Sequence, residues 1–244
     1  FWNAADLKAL VAEFAPWVRG LKIRISRRIV GALGLAPLEA ALDLAEQVGL
    51  PVVVHPCDPP GDASEPVGLL RRGDVYAHPY NNFGSHLLDE AGRVKKAFVE
   101  ARERGVVFNH SDGRMNYSFQ VMRAAFQEGF YPDTLSSDLL SVSRYGELAY
   151  GLPYIMSYYR ALGWDVPAIV KACTATPAKV YGLEGIGSLA VGNRADLAVF
   201  RLENHETTAK DQFGATCRMR EWFVPQLTLL GGQVVYRQVH FRTA

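Results

Sequence analysis

Residues 37–55 read Pro37-Leu38-Glu39-Ala40-Ala41-Leu42-Asp43-Leu44-Ala45-Glu46-Gln47-Val48-Gly49-Leu50-Pro51-Val52-Val53-Val54-His55. Proline is at home in a first helical turn, and glycine is the usual residue just past a helix end. The stretch therefore predicts a helix over Pro37–Val48, a tight connection at Gly49, and a short apolar strand that ends on a histidine. The same unit recurs on both sides. Towards the N-terminus, Leu7, Leu10, Val11, Phe14 and Trp17 have helical spacing from Ala4 to about Trp17, and Gly20 precedes a strand that carries Lys22 in Gly20-Leu21-Lys22-Ile23-Arg24. Towards the C-terminus, the loop Pro56 to Gly73 leads to a strand over Asp74–His78. A charged helix from about Asp89 to Arg104 then precedes Val106-Val107-Phe108. A helix near Ser118 to Glu128 leads into a fifth strand, Thr134 to Asp138, and Tyr145 to Leu162 and Val166 to Cys173 are helical candidates.

Strand and helix alternate at about thirty residues without sequence identity, which points to a parallel α/β sheet or barrel rather than to a repeat solenoid. Five strands are counted and a (β/α)8 barrel needs eight, so either three strands precede Phe1 in the natural protein or the sheet is open. After Leu183 the texture changes to short runs, Asp196 to Phe200 and Gln226 to Val235, with Gly231-Gly232 at a turn. These predict a small β domain over 184–244 beside a barrel domain over 1–183. The stretch Glu203 to Trp222 is polar at first and has no assignment.

The chain has 244 residues, 49% hydrophobic and 21% charged, and a formal net charge of +1. No block of one sign supplies the field that nucleic acid or an anionic membrane needs, so the expected partner is a small-molecule substrate, with no nucleic acid and no membrane. Assembly into a homo-oligomer stays open. Cys57, Cys173 and Cys217 are odd in number and far apart, against a disulfide framework or a thiolate zinc cluster, and a reducing cytoplasm fits. No apolar stretch reaches the roughly 18 to 20 residues of a membrane helix, and no signal segment opens the chain. The first residues, Phe1-Trp2-Asn3, look cut or processed.

Parallel strands closed into a barrel bring their carboxyl ends to one face, where side chains distant in sequence converge. Lys22, His55, His78 and Asp138 each stand at or near such an end. Imidazole suits zinc and neighbouring divalent metals, and His55 and His78 lie on consecutive strands at equivalent heights. Either alone is as readily a hydrogen-bonded rim histidine, and Asp138 alone is as readily a helix N-cap. A lysine inside an apolar barrel strand must be paired, modified or deprotonated. Three chemistries meet that condition: a Schiff base, pairing with an anionic substrate, or uptake of carbon dioxide as a carbamate. Two nearby metal-type histidines favour the carbamate, because an ammonium beside a dication is repelled.

Lys22 in Gly-Leu-Lys-Ile-Arg-Ile-Ser, His55 in Val-Val-Val-His-Pro, His78 in Gly-Asp-Val-Tyr-Ala-His-Pro-Tyr-Asn and Asp138 in Pro-Asp-Thr-Leu-Ser-Ser-Asp-Leu together resemble the amidohydrolase superfamily, nearest to its deacetylase-like branch often labelled dihydroorotase. Thr174-Ala175-Thr176-Pro177-Ala178-Lys179, followed by Gly187-Ser188-Leu189-Ala190-Val191-Gly192-Asn193-Arg194-Ala195-Asp196-Leu197, is similar to that family's return from barrel to small β domain. The resemblance implies a TIM-like (β/α)8 barrel and a centre of two divalent metal ions, usually zinc. It implies Lys22 as the carbamylated bridge, His55 and His78 as ligands of one metal, and Asp138 as ligand of the other and proton shuttle. A bridging hydroxide would then attack an amide, cyclic amide or ester.

Two departures stand out. The family's His-x-His pair does not occur in residues 1 to 244, and where the branch has an Asp-Val-Gly-His-Gly-like stretch this sequence reads Asn109-His110-Ser111-Asp112-Gly113-Arg114. His110 and Asp112 are expected to line the pocket, with Tyr80 and Asn81 supplying polar contacts to substrate. Arg24 either binds a substrate carboxylate or forms a structural ion pair. Cys57 reads as a small buried side chain, and His86, His205 and His240 as surface or loop residues. A Schiff-base lyase using Lys22, and a noncatalytic binding module of the same fold, are the competing functions.

Overall fold

The structure is a computed structural model and describes residues 2–141 and 151–241. The chain divides into two compact units, Phe1–Ser111 with Asn116–Asp133, and Asp112–Met115 with Thr134–Ala244.

In the first unit, β1 (Leu21–Arg24), β2 (Val52–His55), β3 (Val75–Ala77) and β4 (Val107–Ser111) are parallel and neighbour one another in sequence order. Helix α3 (Ala36–Val48), as expected, ends at Gly49 in the left-handed conformation, whose N–H reaches back to the Ala45 and Glu46 carbonyls. One side of the sheet packs on the helices: Val52, Val54, Tyr76 and Phe108 are buried, and the Tyr76 and Phe108 rings meet Phe98 of α5 (Lys96–Arg104) at 5.2 and 6.0 Å. Each such side chain contributes about 1.5–3 kcal/mol by leaving water. The register puts Lys22, Val53, Val75 and Val107 in one row on the other side, and Arg24, His55, Ala77 and Asn109 in the next row towards the strand ends.

An aspartate begins two of these connections at the amino ends of the strands. Buried Asp74 accepts hydrogen bonds from Val52 N at 2.8 Å and from Arg71 N, Nε and Nη2 at 2.8, 3.0 and 3.1 Å, and Asp133 accepts from Phe108 N at 2.7 Å. Asp74 thereby satisfies the first amide of β2 and Asp133 the second amide of β4, whose first, Val107 N, donates to Asp74 O at 2.9 Å.

Several expectations are corrected here. The first helix, α1, spans Ala4–Glu13, capped by the Asn3 side chain, and stops short of Trp17 because Pro16 cannot continue it. None of its residues is buried, and Leu10, Phe14 and Trp17 are exposed. The charged helix begins at Lys96 rather than Asp89, since Asp89 accepts from Arg93 N at 2.9 Å in a turn closed by a Leu88–Val94 bridge. The loop after β2 contains a helix of its own, α4 (Ser64–Leu69). Lys22 is exposed on β1, so the burial that made its charge a problem is absent among the described residues.

The second unit contains β5 (Thr134–Ser136), a helix over Leu152–Ala161, two more over Val166–Cys173 and Ala175–Val180, and an antiparallel sheet in the order β6 (Leu197–Lys210), β7 (Thr216–Leu230), β8 (Gln233–Arg237). The expected helix over 145–162 is observed over Leu152–Ala161, with extended Gly151 before it, and residues 145–150 of the expected range lie outside the described residues. The unassigned stretch forms the later half of β6 and the first half of β7, joined by a turn in which Asp211 accepts from Phe213 N and Ala215 N, both at 2.9 Å. The expected turn at Gly231-Gly232 joins β7 to β8. Residues 183/184 fall in the interval between the end of β5 at Ser136 and the start of the antiparallel sheet at Leu197. The compact units divide earlier because the Leu152–Ala161 helix packs on β7, with Ser157 Oγ accepting from Phe223 N at 2.9 Å and Arg160 paired with Glu221 at 2.8 Å. No described helix is long and apolar enough to cross a membrane.

Candidate metal centre

His55 is the last residue of β2 and lies on the side of the sheet away from the helices. Its Nε2 is buried and has no hydrogen-bond partner. Burial, with the charges of Arg24 and then Lys22, pushes its pKa down to about 3, which leaves the ring neutral at physiological pH. A buried imidazole nitrogen without a hydrogen-bond partner, at the carboxyl end of a strand, can serve as a metal donor.

His78 follows β3 directly. Strand alternation would turn its side chain towards Tyr76 and the helices, but its φ of 55° is left-handed, and its ring meets that of His55 edge-on with centroids 4.5 Å apart. A non-glycine residue there costs on the order of 1–3 kcal/mol. Local hydrogen bonds offset this: His78 N donates to Asn109 O at 2.9 Å, and the His78 carbonyl accepts from Asn81 Nδ2 at 2.8 Å and Asn81 N at 3.2 Å. His78 Nδ1 lies 2.8 Å from Ser111 O. A carbonyl only accepts, so Nδ1 carries the proton and the lone pair lies on Nε2, the tautomer of a metal ligand with a backbone outer partner. Burial, then the charge of His55, hold its pKa well below the ordinary value, and Lys22 contributes to the same lowering. The Lys22 cation thus acts on both rings. Among the described residues no three His, Cys, Asp or Glu side chains gather as a metal set. The imidazole pair fits a divalent metal, and a carbamate on Lys22 would add the oxygen donors.

Of the other expected residues in this unit, Arg24 shares its row with His55 and its Nε donates to Ser26 Oγ at 3.2 Å. Tyr80 is a core residue: its ring packs on Phe126 and His110, and its hydroxyl donates to Phe130 O at 3.0 Å. Asn81 supports the His78 backbone. His110 lies on the helix-covered side with Phe108, between the rings of Tyr80 and Tyr117, and burial pushes its pKa down to about 3. The strand-end polar groups on the His55 side are instead Asn109 and Ser111, whose side chains hydrogen-bond each other. Alternation counted along β4 would have selected them. Cys57 is buried, its Sγ 3.6 Å from Asn116 Oδ1.

In the second unit, Asp138 stands two residues past β5, exposed, with φ 45°. Asp112 is buried, accepting from Arg114 N at 2.8 Å and from the Tyr158 hydroxyl at 3.0 Å. Burial pushes its carboxyl up to about 7 against those two bonds, and the charge of Asp138 pushes the same way. Tyr158, inside a helix, carried no sequence signal.

The amidohydrolase family's sequence profile matches residues 19–235. The chain belongs to the amidohydrolase family. It is 32% identical over 95% of its length to a deacetylase of Enterococcus faecalis and 30% identical over 92% to a deacetylase of Agrobacterium fabrum, of which it covers 63% and 55%. A crystal structure of an adenine deaminase superposes with a TM-score of 0.92 at 32% identity, and one of a dihydroorotase with 0.85 at 29%; the chain is covered to 97% and 96%, and those chains to 64% and 61%. The chain therefore spans less than two thirds of these relatives. Its fold class is α/β, that of the family's TIM-like barrel, with a small antiparallel domain.

Proposed function

We propose that the protein is a metal-dependent amidohydrolase that cleaves an amide, cyclic amide or ester of a small molecule. The observation that carries this is the His55–His78 pair, in which an unsatisfied buried Nε2 stands beside a ring whose tautomer is fixed by a backbone carbonyl. Family membership and the deacetylase, deaminase and dihydroorotase names of its relatives support hydrolysis at a carbon–nitrogen bond.

His55 and His78 would hold one divalent metal ion, zinc by donor type, and Lys22 as its carbamate would hold that ion and a second, to which family resemblance adds Asp138. Bound metals supply Lewis acidity and an acidified water in such a centre. The chain's own contribution is proton handling and orientation. Asp138 takes up the proton released as the acyl carbon is attacked and returns it to the leaving group. Asn81 and Ser111 O keep the His78 ring in the ligand geometry, and neutral imidazoles present lone pairs without competition from protons.

The test is metal content and turnover together. Zinc-loaded full-length protein should hydrolyse members of a panel of N-acyl amino acids, acetylated hydroxy acids and cyclic ureides. Chelation should remove that activity and zinc should restore it. Full activity in a metal-free preparation would contradict the reading.

A further inference from the structure

Asp138 stands at φ 45°, and a non-glycine residue keeps a left-handed backbone only where its surroundings hold it. The turn after β4 holds the two residues before it. Asp112 N donates to Ser136 O at 3.2 Å and Gly113 N donates to Ser137 O at 3.0 Å. That turn is shaped around one carboxyl. Gly113 and Arg114 are left-handed too, at φ 54° and 69°, and Asp112 Oδ1 spans them by accepting from Arg114 N at 2.8 Å. Its other oxygen, Oδ2, accepts from the Tyr158 hydroxyl at 3.0 Å, with both residues buried.

The Arg114 bond is enough to close the turn. The tyrosine hydroxyl comes from a helix 46 residues away and adds something else, a tie to the antiparallel sheet. Its helix is fixed on β7, where Ser157 Oγ accepts from Phe223 N at 2.9 Å and Arg160 pairs with Glu221 at 2.8 Å. A continuous line of hydrogen bonds thus runs from β7 through Tyr158 and Asp112 to the carbonyls that precede Asp138.

We propose that Tyr158 and Asp112 are positioning residues for Asp138, holding its carboxylate through the Asp112–Gly113 turn where it can take up and return the proton. They act by hydrogen bonding, not by charge. The inference rests on the proposed function, which makes Asp138 the proton shuttle.

The test is Tyr158→Phe in the full-length protein, which removes the hydroxyl and keeps the ring. In metal-free protein, hydrogen exchange at the Asp112 and Gly113 amides should quicken about 10- to 100-fold, while the Phe223 amide stays slow. In zinc-loaded protein, kcat on the panel of N-acyl amino acids, acetylated hydroxy acids and cyclic ureides should fall about 10- to 100-fold. That is the scale for a reacting group misplaced by roughly 1 Å, and KM and zinc content should not change. Asp112→Ala should lose the same factor and the double variant no more than either single one. Asp112→Asn still offers an oxygen to Arg114 N and a hydrogen-bonding group to Tyr158, and should recover most of what Asp112→Ala loses. Wild-type kcat in Tyr158→Phe overturns the proposal. So does a fall in kcat with both amides exchanging as slowly as before, or Asp112→Asn as slow as Asp112→Ala. Failure of the function reading is seen separately, as absent zinc-dependent turnover or wild-type kcat in Asp138→Asn, and it removes the shuttle and this inference together.

Discussion

The His55 and His78 rings meet edge-on at 4.5 Å because His78 leaves β3 in a left-handed conformation. The contact is produced by backbone geometry, and Asn81 is the residue that holds it. Both Asn81 hydrogen bonds to the His78 carbonyl come from a side chain and an amide that are buried.

Asn81→Ala should therefore weaken zinc binding by about 10- to 100-fold, the range for residues that orient a metal ligand. Stability should fall by about 1–3 kcal/mol. Competition against a chromophoric chelator reads the first and chemical denaturation the second. Unchanged zinc affinity would place Asn81 outside the support of His78.

Asp112 couples stability to pH. Its carboxyl has an ordinary value of 3.8 and is pushed up to about 7 in the fold, so folding takes up a proton between those values. The stabilisation is complete below about pH 4 and is lost as pH rises through 7. Asp112→Asn lacks this titration. Between pH 5 and pH 7 the wild type should lose about 2–3 kcal/mol more than the variant, at about 1.4 kcal/mol per pH unit. Denaturation curves at several pH values check it, and parallel losses would contradict it.

Asp74 belongs to the opposite end of the strands. Asp74→Ala leaves buried Val52 N without its acceptor and takes the carboxylate from the one-third-exposed Arg71 guanidinium, which should cost about 1–3 kcal/mol. Zinc affinity per folded molecule should not change, because the residue stands at the amino ends of β2 and β3. A variant of wild-type stability would show that the aspartate is dispensable.

The loops after β2 and β3 are tied by Lys95, whose ammonium donates to Asp62 at 2.6 Å and to Ser85 Oγ at 2.9 Å, while Ser85 Oγ accepts from Ala63 N at 2.8 Å. Lys95→Met should cost about 1 kcal/mol, a modest figure because Asp62 is half exposed. Hydrogen exchange at the amides of Ala63 and Ser64 should quicken. Exchange as slow as in the wild type would show that the knot does not hold the loops.

The alternation of helix and strand was legible because Gly49, Pro37 and the apolar runs punctuate it locally. The strand-end positions of His55 and His78 were legible for the same reason. Their contact was not, since nothing in Ala77-His78-Pro79 announces a left-handed residue. A histidine suggests site chemistry at position 110, but the two-residue period of β4 puts Asn109 and Ser111 on the side of His55 and His110 on the other. The polar run from Glu203 hid a long strand because much of β6 is exposed on both faces, so burial imposed no alternation for the sequence to display.

The central claim is that His55, His78 and Lys22 hold metal. Crystals of the full-length protein grown with zinc, measured at the zinc edge, test it in one map. The account predicts an anomalous peak about 2.0–2.1 Å from Nε2 of both His55 and His78, with carbamate density on Lys22 Nζ. A bare Lys22 amine with no peak at the two imidazoles would contradict it.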